Sequence, residues 1–286
     1  MDIIYRYDPH QSVVIPSYDD ADSAERALRE GNRRFVSMVA RVQSEVFGEE
    51  PGRPIVIQAS PLSLGFPLVT GRAPLQNPFA VILGCSDARA PIELIFEHSH
   101  NELFVVRVAG NVLGTECLGS VDYAARHFGE SLRLVVVLGH TGCGAVAAAV
   151  DLYLDPDEYG AIAETHALRT IVDRILVVIR VAAKAIERRF GRAAESHPGY
   201  RDALWEMAVY LNAALTAHDL CRELDLAAPG GLRVVYGVYD LLSQRVFASP
   251  HEDDAFWPAP RTSAEFTALG DRLADSVVAR GIVGRS

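Results

Sequence analysis

Three side chains able to hold a soft divalent cation end two apolar runs. Phe79-Ala80-Val81-Ile82-Leu83-Gly84 leads into Cys85, and Leu134-Val135-Val136-Val137-Leu138-Gly139 leads into His140-Thr141-Gly142-Cys143. Two thiols and one imidazole suit a tetrahedral Zn2+, and three protein donors leave a fourth position for water or substrate, which separates catalytic zinc from structural zinc. A free Cys taken alone is often only a small buried hydrophobe. Both motifs, however, follow Gly-terminated runs in the same way, which favours a metal. Beside the first thiol, Ser86, Asp87 and Arg89 add a polar cluster. A carboxylate drawn out of water there is costly unless paired, and Arg89 is the obvious partner.

These residues need elements to bring them together. Short Val, Ile and Leu runs closed by Gly read as strands buried on both faces, and ligands bind just beyond the carboxyl ends of such strands. Strands are expected near 79–84, 103–107 and 133–138, with helices near 91–97, 117–129 and 143–153. That alternation implies right-handed βαβ units and an α/β fold, a mainly parallel open sheet flanked by helices. Residues 1–19 read as an extended, poorly specified arm. Asp20 or Ser23 caps a helix through about Ser44, with apolar positions at Ala24, Leu28, Phe35 and Met38. Residues 49–75, rich in Pro and Gly, read as an irregular connection bordering the cleft. Amphipathic helices are expected near 160–190 and 199–225, then a strand near 232–238 with a hairpin end through Phe247. A Pro-rich stretch and a helix from Ser263 to about Arg280 form a C-terminal helical extension.

Composition narrows the function. A chain of 286 residues, 49% hydrophobic, can bury one large core. A net charge of −10 without a concentrated basic stripe argues against a nucleic-acid partner. Arg180, Lys184, Arg188, Arg189 and Arg192 read as a solvated helix end favoured by the helix dipole. Of the four cysteines, Cys117 and Cys221 are left for a disulfide, although a reduced interior is the simpler reading. Met1–Arg6 lacks the basic start and apolar stretch of a signal peptide. The apolar stretch Ile175–Ala183 is broken by Arg180 and too short to span a bilayer. The expectation is a cytoplasmic protein with no membrane partner.

Taken together, Cys85-Ser86-Asp87-Ala88-Arg89-Ala90-Pro91, Glu102-Leu103-Phe104-Val105-Val106-Arg107-Val108-Ala109-Gly110-Asn111 and Gly139-His140-Thr141-Gly142-Cys143-Gly144 resemble the β-class carbonic anhydrases. Glu30-Gly31-Asn32-Arg33-Arg34-Phe35 and Gly237-Val238-Tyr239-Asp240-Leu241 are weaker matches to that family's N-terminal helix and last strand. The resemblance implies Zn2+ on Cys85, His140 and Cys143, with Asp87 and Arg89 as a catalytic dyad. Zinc-bound hydroxide would then hydrate CO2 reversibly to bicarbonate and a proton. Asp87 either orients the water or, if its pair with Arg89 opens, takes the fourth position itself. The resemblance also implies that Gln76 lines the substrate cleft from across a dimer interface, and that Phe104 and Tyr123 wall it.

The family's N-terminal helix lies on a partner subunit. The chain therefore divides into 1–48, an arm and dimerisation helix; 49–250, the zinc-binding domain; and 251–286, a tail, in a homodimer or higher even-numbered homo-oligomer. Ile82 stands where members with a closed, bicarbonate-regulated site commonly carry Trp, which favours the open site. His98 and His100 read as solvated surface groups, with proton shuttling as the alternative role. Residues 151–230 match the family poorly. Two other functions use the same residues: hydrolysis of COS or CS2, and non-catalytic zinc or bicarbonate binding with Asp87 permanently on the metal.

Overall fold

The computed structural model describes residues 3–7, 16–48, 54–162, 164–224, 232–250 and 252–281. Its strands are β1 Ile3–Arg6, β2 Ile55–Gln58, β3 Ala80–Gly84, β4 Leu103–Arg107, β5 Leu134–His140, β6 Arg233–Tyr239, β7 Val246–Phe247 and β8 Trp257–Pro258. Its helices are α1 Ala21–Phe47, α2 Ile92–Ile95, α3 Thr115–His127, α4 Gly144–Leu154, α5 Tyr159–Ile162, α6 His166–Phe190, α7 Tyr200–Glu223 and α8 Ser263–Gly281.

The main sheet runs β4-β3-β5-β6-β7, parallel from β4 through β6. The short strands β7 and β8 both pair antiparallel with β6. This is the expected α/β fold with a mainly parallel sheet. β3 and β5 are buried at every position, which is why they read as unbroken apolar runs. Side chains alternate between two cores. Val81, Leu83, Val135, Val137 and Tyr236 pack with Val146 of α4, Ile175 of α6, Met207 of α7 and Leu273 of α8. Ala80, Ile82, Leu134, Val136 and Val235 pack with Leu28 and Phe35 of α1 and with Ile92 and Ile95 of α2.

That second core gives α1 a surface within its own chain: the N-terminal helix covers a face of its own sheet. Gly31 and Asn32 make this possible. A Cβ at Gly31 would fall 1.7 Å from the Phe96 carbonyl oxygen, so only glycine allows the helix this close to the end of α2. Asn32 Nδ2 donates to the Ile95 and Gln244 carbonyls at 3.1 and 3.0 Å, and its Oδ1 accepts from the Val246 amide at 3.0 Å. The helix starts at Asp20, whose side chain accepts from Ser23 N while Ser23 Oγ accepts from Asp20 N, a capping box.

The arm read as extended and poorly specified and the connection read as irregular hold a strand each. Within 1–19 and 49–75, β1 and β2 pair in parallel, Ile3 opposite Ile55 and Arg6 opposite Gln58. Local periodicity does not report a pairing between segments so far apart in the chain. At the other end, α8 buries Leu269, Leu273 and Ala274 in the same core as α6 and α7, so the stretch after 250 shares the main core. Among the described residues all four cysteines are free thiols, and no helix is long and apolar enough to cross a membrane.

Candidate metal centre

β3 and β5 are neighbours with Gly84 opposite Leu138, so their carboxyl ends release Cys85 and His140 side by side. Cys143 follows after a tight turn and precedes the first residue of α4. The ligating atoms of Cys85, His140 and Cys143 all lie within 4.8 Å of one another, and all three residues are buried. His140 Nδ1 donates to the Thr141 carbonyl at 2.9 Å, since a carbonyl oxygen can only accept. Its Nε2 therefore carries a lone pair, and that atom is buried with no hydrogen-bond partner among the described residues. A buried polar atom left unpaired is costly. Two sulfurs and a free imidazole nitrogen at this spacing fit a divalent cation of zinc's type.

The electrostatics agree with this fit. The Cys85 thiol is pulled down chiefly by a hydrogen bond from the Cys143 thiol, against the opposing effect of burial. Cys143 is pushed up by its hydrogen bond to the ionised Cys85 and by burial. Two thiols this close hold one negative charge between them, and a divalent cation at their centre would let both ionise.

Asp87 and Arg89 form a fork. Asp87 Oδ1 accepts from Arg89 N at 2.9 Å and from Nε at 3.0 Å, and Oδ2 accepts from Nη2 at 2.7 Å. The Arg89 guanidinium holds the Asp87 carboxyl well below the usual carboxylate range. Arg89 Nη2 also donates to the Gly142 carbonyl at 3.2 Å, tying the dyad to the turn that carries Cys143. Asp87 Oδ2 lies 3.8 Å from His140 Nε2, beside the place where a metal would sit.

Two further residues brace the ligand loops. Arg107, at the end of β4 and opposite Gly84, donates from Nε to the Cys85 carbonyl at 2.9 Å and from Nη2 to the Asp87 carbonyl at 2.6 Å. An arginine closing an apolar strand beside a ligand-bearing one was a readable signal for it. Trp205 Nε1, from α7, donates to the Cys143 carbonyl at 3.1 Å, and nothing in the local sequence points to that contact. A groove of about 920 Å3 reaches Arg89, Thr141 and Gly142 beside Trp205 and Leu241, but the three metal donors do not line it.

The cleft residues are not gathered at this cluster. Gln76 is exposed, and its neighbours Leu75 and Asn77 are hydrogen-bonded to Asn101, ahead of β4. Phe104 pairs with Val81 at the amino-terminal half of the sheet and packs near Tyr123, with ring centroids 6.4 Å apart. Tyr123 in turn stacks on His127. The strands are parallel, so these three residues lie toward the end opposite Cys85 of the same chain.

His98 departs from the expectation. It is buried, not solvated, with Nδ1 2.7 Å from Glu102 Oε2 and its ring edge-on to Phe79. It also lies ahead of β4, at the amino end of the sheet, away from the cluster of its own chain. The cause is local: Glu102 is buried and needs a donor, and His98 supplies one. His100 is exposed, as expected.

A family profile described as carbonic anhydrase matches residues 80–246, more than half of the 286 and including 151–230. Carbonic anhydrase 2 of Mycobacterium tuberculosis is 38% identical over 128 residues, 45% of this chain and 52% of that protein. The carbonic anhydrase of Mycolicibacterium smegmatis is 34% identical over 163 residues, 57% of this chain and 66% of that one. The chain thus spans between about half and two thirds of the length of these curated relatives. Among solved structures, the Coccomyxa β-carbonic anhydrase in complex with acetazolamide aligns at 22% identity with a TM-score of 0.46, covering 76% of this chain and 82% of that one.

Proposed function

Because the chain belongs to the β-class carbonic anhydrase family, we propose that it catalyses the reversible hydration of CO2 to bicarbonate and a proton, with Zn2+ held by Cys85, His140 and Cys143. The observation that carries this reading is the buried triangle of two sulfurs and a free imidazole nitrogen, set beside a carboxylate gripped by a guanidinium fork. Zn2+ bound there would supply a Lewis acid that lowers the pKa of water toward neutrality.

The chain's own groups do the rest. His140 commits its Nδ1 proton to the Thr141 carbonyl and so presents Nε2 as a donor. Cys85 and Cys143 bring negative charge, which makes the centre less electrophilic than one built from three imidazoles. Asp87, kept anionic by Arg89, accepts a hydrogen bond from water and turns an oxygen lone pair toward the carbon of CO2. Arg89 holds both Asp87 oxygens and so keeps the carboxylate from becoming a fourth ligand. Ile82, wholly buried on the α1 face, leaves no Trp there to favour the closed arrangement.

The cleft is completed by a second copy of the chain. Gln76 lies away from its own cluster, in a segment with Phe66, Leu68, Val69 and Leu75 exposed, which a partner would cover. The partner then receives Gln76 as a donor to a CO2 or bicarbonate oxygen, with Phe104 and Tyr123 as an apolar wall for an uncharged substrate. The assembly is a homodimer or a higher even-numbered oligomer, and the location is cytoplasmic.

Stopped-flow CO2 hydration on protein carrying one zinc per chain, with COS hydrolysis measured beside it, tests this reading. The expected result is CO2 turnover that disappears with the metal. Full activity without metal would overturn the reading, and COS turnover without CO2 hydration would reassign the substrate.

A further inference from the structure

The turn Ala109–Asn111 touches the metal cluster yet is not self-supporting. Gly110 and Asn111 both occupy the left-handed region, at φ 67° and 44°. For Asn111, which has a Cβ, that conformation persists only where the surroundings impose it. The imposition comes from α7. Asn212 Nδ2 donates to the Gly110 carbonyl at 2.7 Å, and Thr216 Oγ1 donates to the Asn111 carbonyl at 3.2 Å. Both side chains are buried on a helix whose neighbouring positions, Leu211, Ala213 and Ala214, are apolar. A carboxamide placed there is costly unless it makes its hydrogen bonds.

Gly110 in turn reaches the cluster. Its N–H donates to Cys85 Sγ at 3.3 Å. A Cβ at this position would lie 2.9 Å from Ile175 Cδ1 and 3.2 Å from Ala145 Cβ, so α6 and α4 close the turn in from behind. A continuous chain of contacts therefore runs from α7 through Gly110 to the sulfur.

We propose that Asn212 is a positioning residue: it fixes the Gly110 amide on Cys85 Sγ and thereby sets how much charge that sulfur donates to the metal. An N–H aimed at a thiolate stabilises the sulfur lone pairs and weakens their donation. Outer hydrogen bonds of this kind orient ligands and tune the metal they hold. The inference rests on the reading that Cys85 is a metal ligand. It adds a role for α7, which otherwise only packs on the sheet and touches the Cys143 carbonyl.

The test uses the full chain loaded with Co2+ in place of Zn2+, whose sulfur-to-cobalt charge-transfer band reports thiolate donation. In Asn212→Leu, similar in shape but without donors, that band is expected to move to longer wavelength. Metal release to a chelator should nevertheless quicken by roughly tenfold or more, because the loop that carries Cys85 loses the contact that fixes its orientation. Thr216→Val, which frees the carbonyl one residue farther from the sulfur, should give a smaller shift in the same direction. A folded Asn212→Leu protein with one cobalt per chain and an unchanged band and release rate would overturn the proposal, leaving Asn212 a packing residue. If that variant does not fold, Asn212→Ser, whose hydroxyl is too short to reach Gly110, is read the same way. Wild-type protein that binds cobalt without any sulfur band would instead overturn the assignment of the cysteines as ligands.

Discussion

Two buried histidines stand at opposite ends of one parallel sheet, and only one of them faces sulfur. His140 closes β5 at the carboxyl end, and His98 precedes β4 at the amino end. Each spends Nδ1 on an oxygen: the Thr141 carbonyl at 2.9 Å for His140, the Glu102 carboxylate at 2.7 Å for His98. Each leaves Nε2 buried and without a hydrogen-bond partner among the described residues. By burial and proton placement the two are alike. The difference is their company, since His140 Nε2 converges with two sulfurs while the His98 ring packs against Phe79 and lines a space with Tyr18. A metal needs several donors at one point, so convergence marks a site and burial of an imidazole does not.

The largest effect should come from exchanging the two histidines' fates. His140→Ala is expected to lose stoichiometric zinc and to reduce CO2 hydration to background. His98→Ala should keep both, and should lose about 1–3 kcal/mol of stability because buried Glu102 loses its imidazole donor and keeps only Ser63 and the Ser99 amide. Metal analysis, stopped-flow kinetics and urea unfolding on the two variants check this. A His98→Ala protein that retains zinc and stability but loses turnover would break the comparison.

Next in size is the dyad that only the carboxyl end possesses. Arg89→Ala should lower kcat/KM by about a hundredfold or more, as for loss of a preorganised polar contact at a reacting centre. Asp87 should then be found on the metal by X-ray absorption or crystallography. Wild-type turnover in that variant would mean that Asp87 needs no restraint.

The two ends should also respond to pH in opposite ranges. At the carboxyl end, kcat/KM should rise with pH and have its midpoint above about 7, because two thiolates reduce the pull of zinc on water. Asp87→Asn, with one negative charge fewer, should lower the midpoint and also the maximal rate. A flat profile between about pH 6 and about pH 9 would remove proton loss from the mechanism.

The smallest effect belongs to the amino end. Burial pushes the Glu102 carboxyl up, but hydrogen bonds from His98 and Ser63 outweigh it and leave the group below its ordinary value. A carboxyl whose folded pKa is depressed contributes stability in full above its unfolded pKa, about 4.3 for Glu, and loses it as pH falls through the folded value. Thermal unfolding of the wild type should therefore decline more steeply below about pH 4.3 than that of Glu102→Gln. Equal slopes for the two proteins would show that Glu102 does not govern the acid limb.

The cluster at the carboxyl end was legible from sequence because its geometry is short-range. Cys85, Asp87 and Arg89 are spaced by two, so a fork between the last two needs no distant element, and the observed one closes within that tripeptide step. Gly-ended apolar runs determined β3 and β5, since strands buried on both faces cannot carry polar side chains. Their adjacency was not legible: the consecutive strand β4 lies on the far side of β3, and only the tertiary structure put Cys85 beside His140 and Cys143.

What only the tertiary structure decided is what covers each apolar face and what meets each isolated polar group. The stripe Ala24, Leu28 and Phe35 told that α1 is covered, not that its own sheet covers it; that choice was made by Gly31 against Phe96 and Asn32 against Ile95 and Val246. β1 found β2 across the whole of α1. Asn212 looks from sequence like a polar interruption in a core helix, and its meaning lies in a carbonyl 102 residues away. Periodicity records how one element divides between water and interior, because that division repeats along the element itself. The partner of a buried donor is set by where distant elements pack, and no local repeat encodes it.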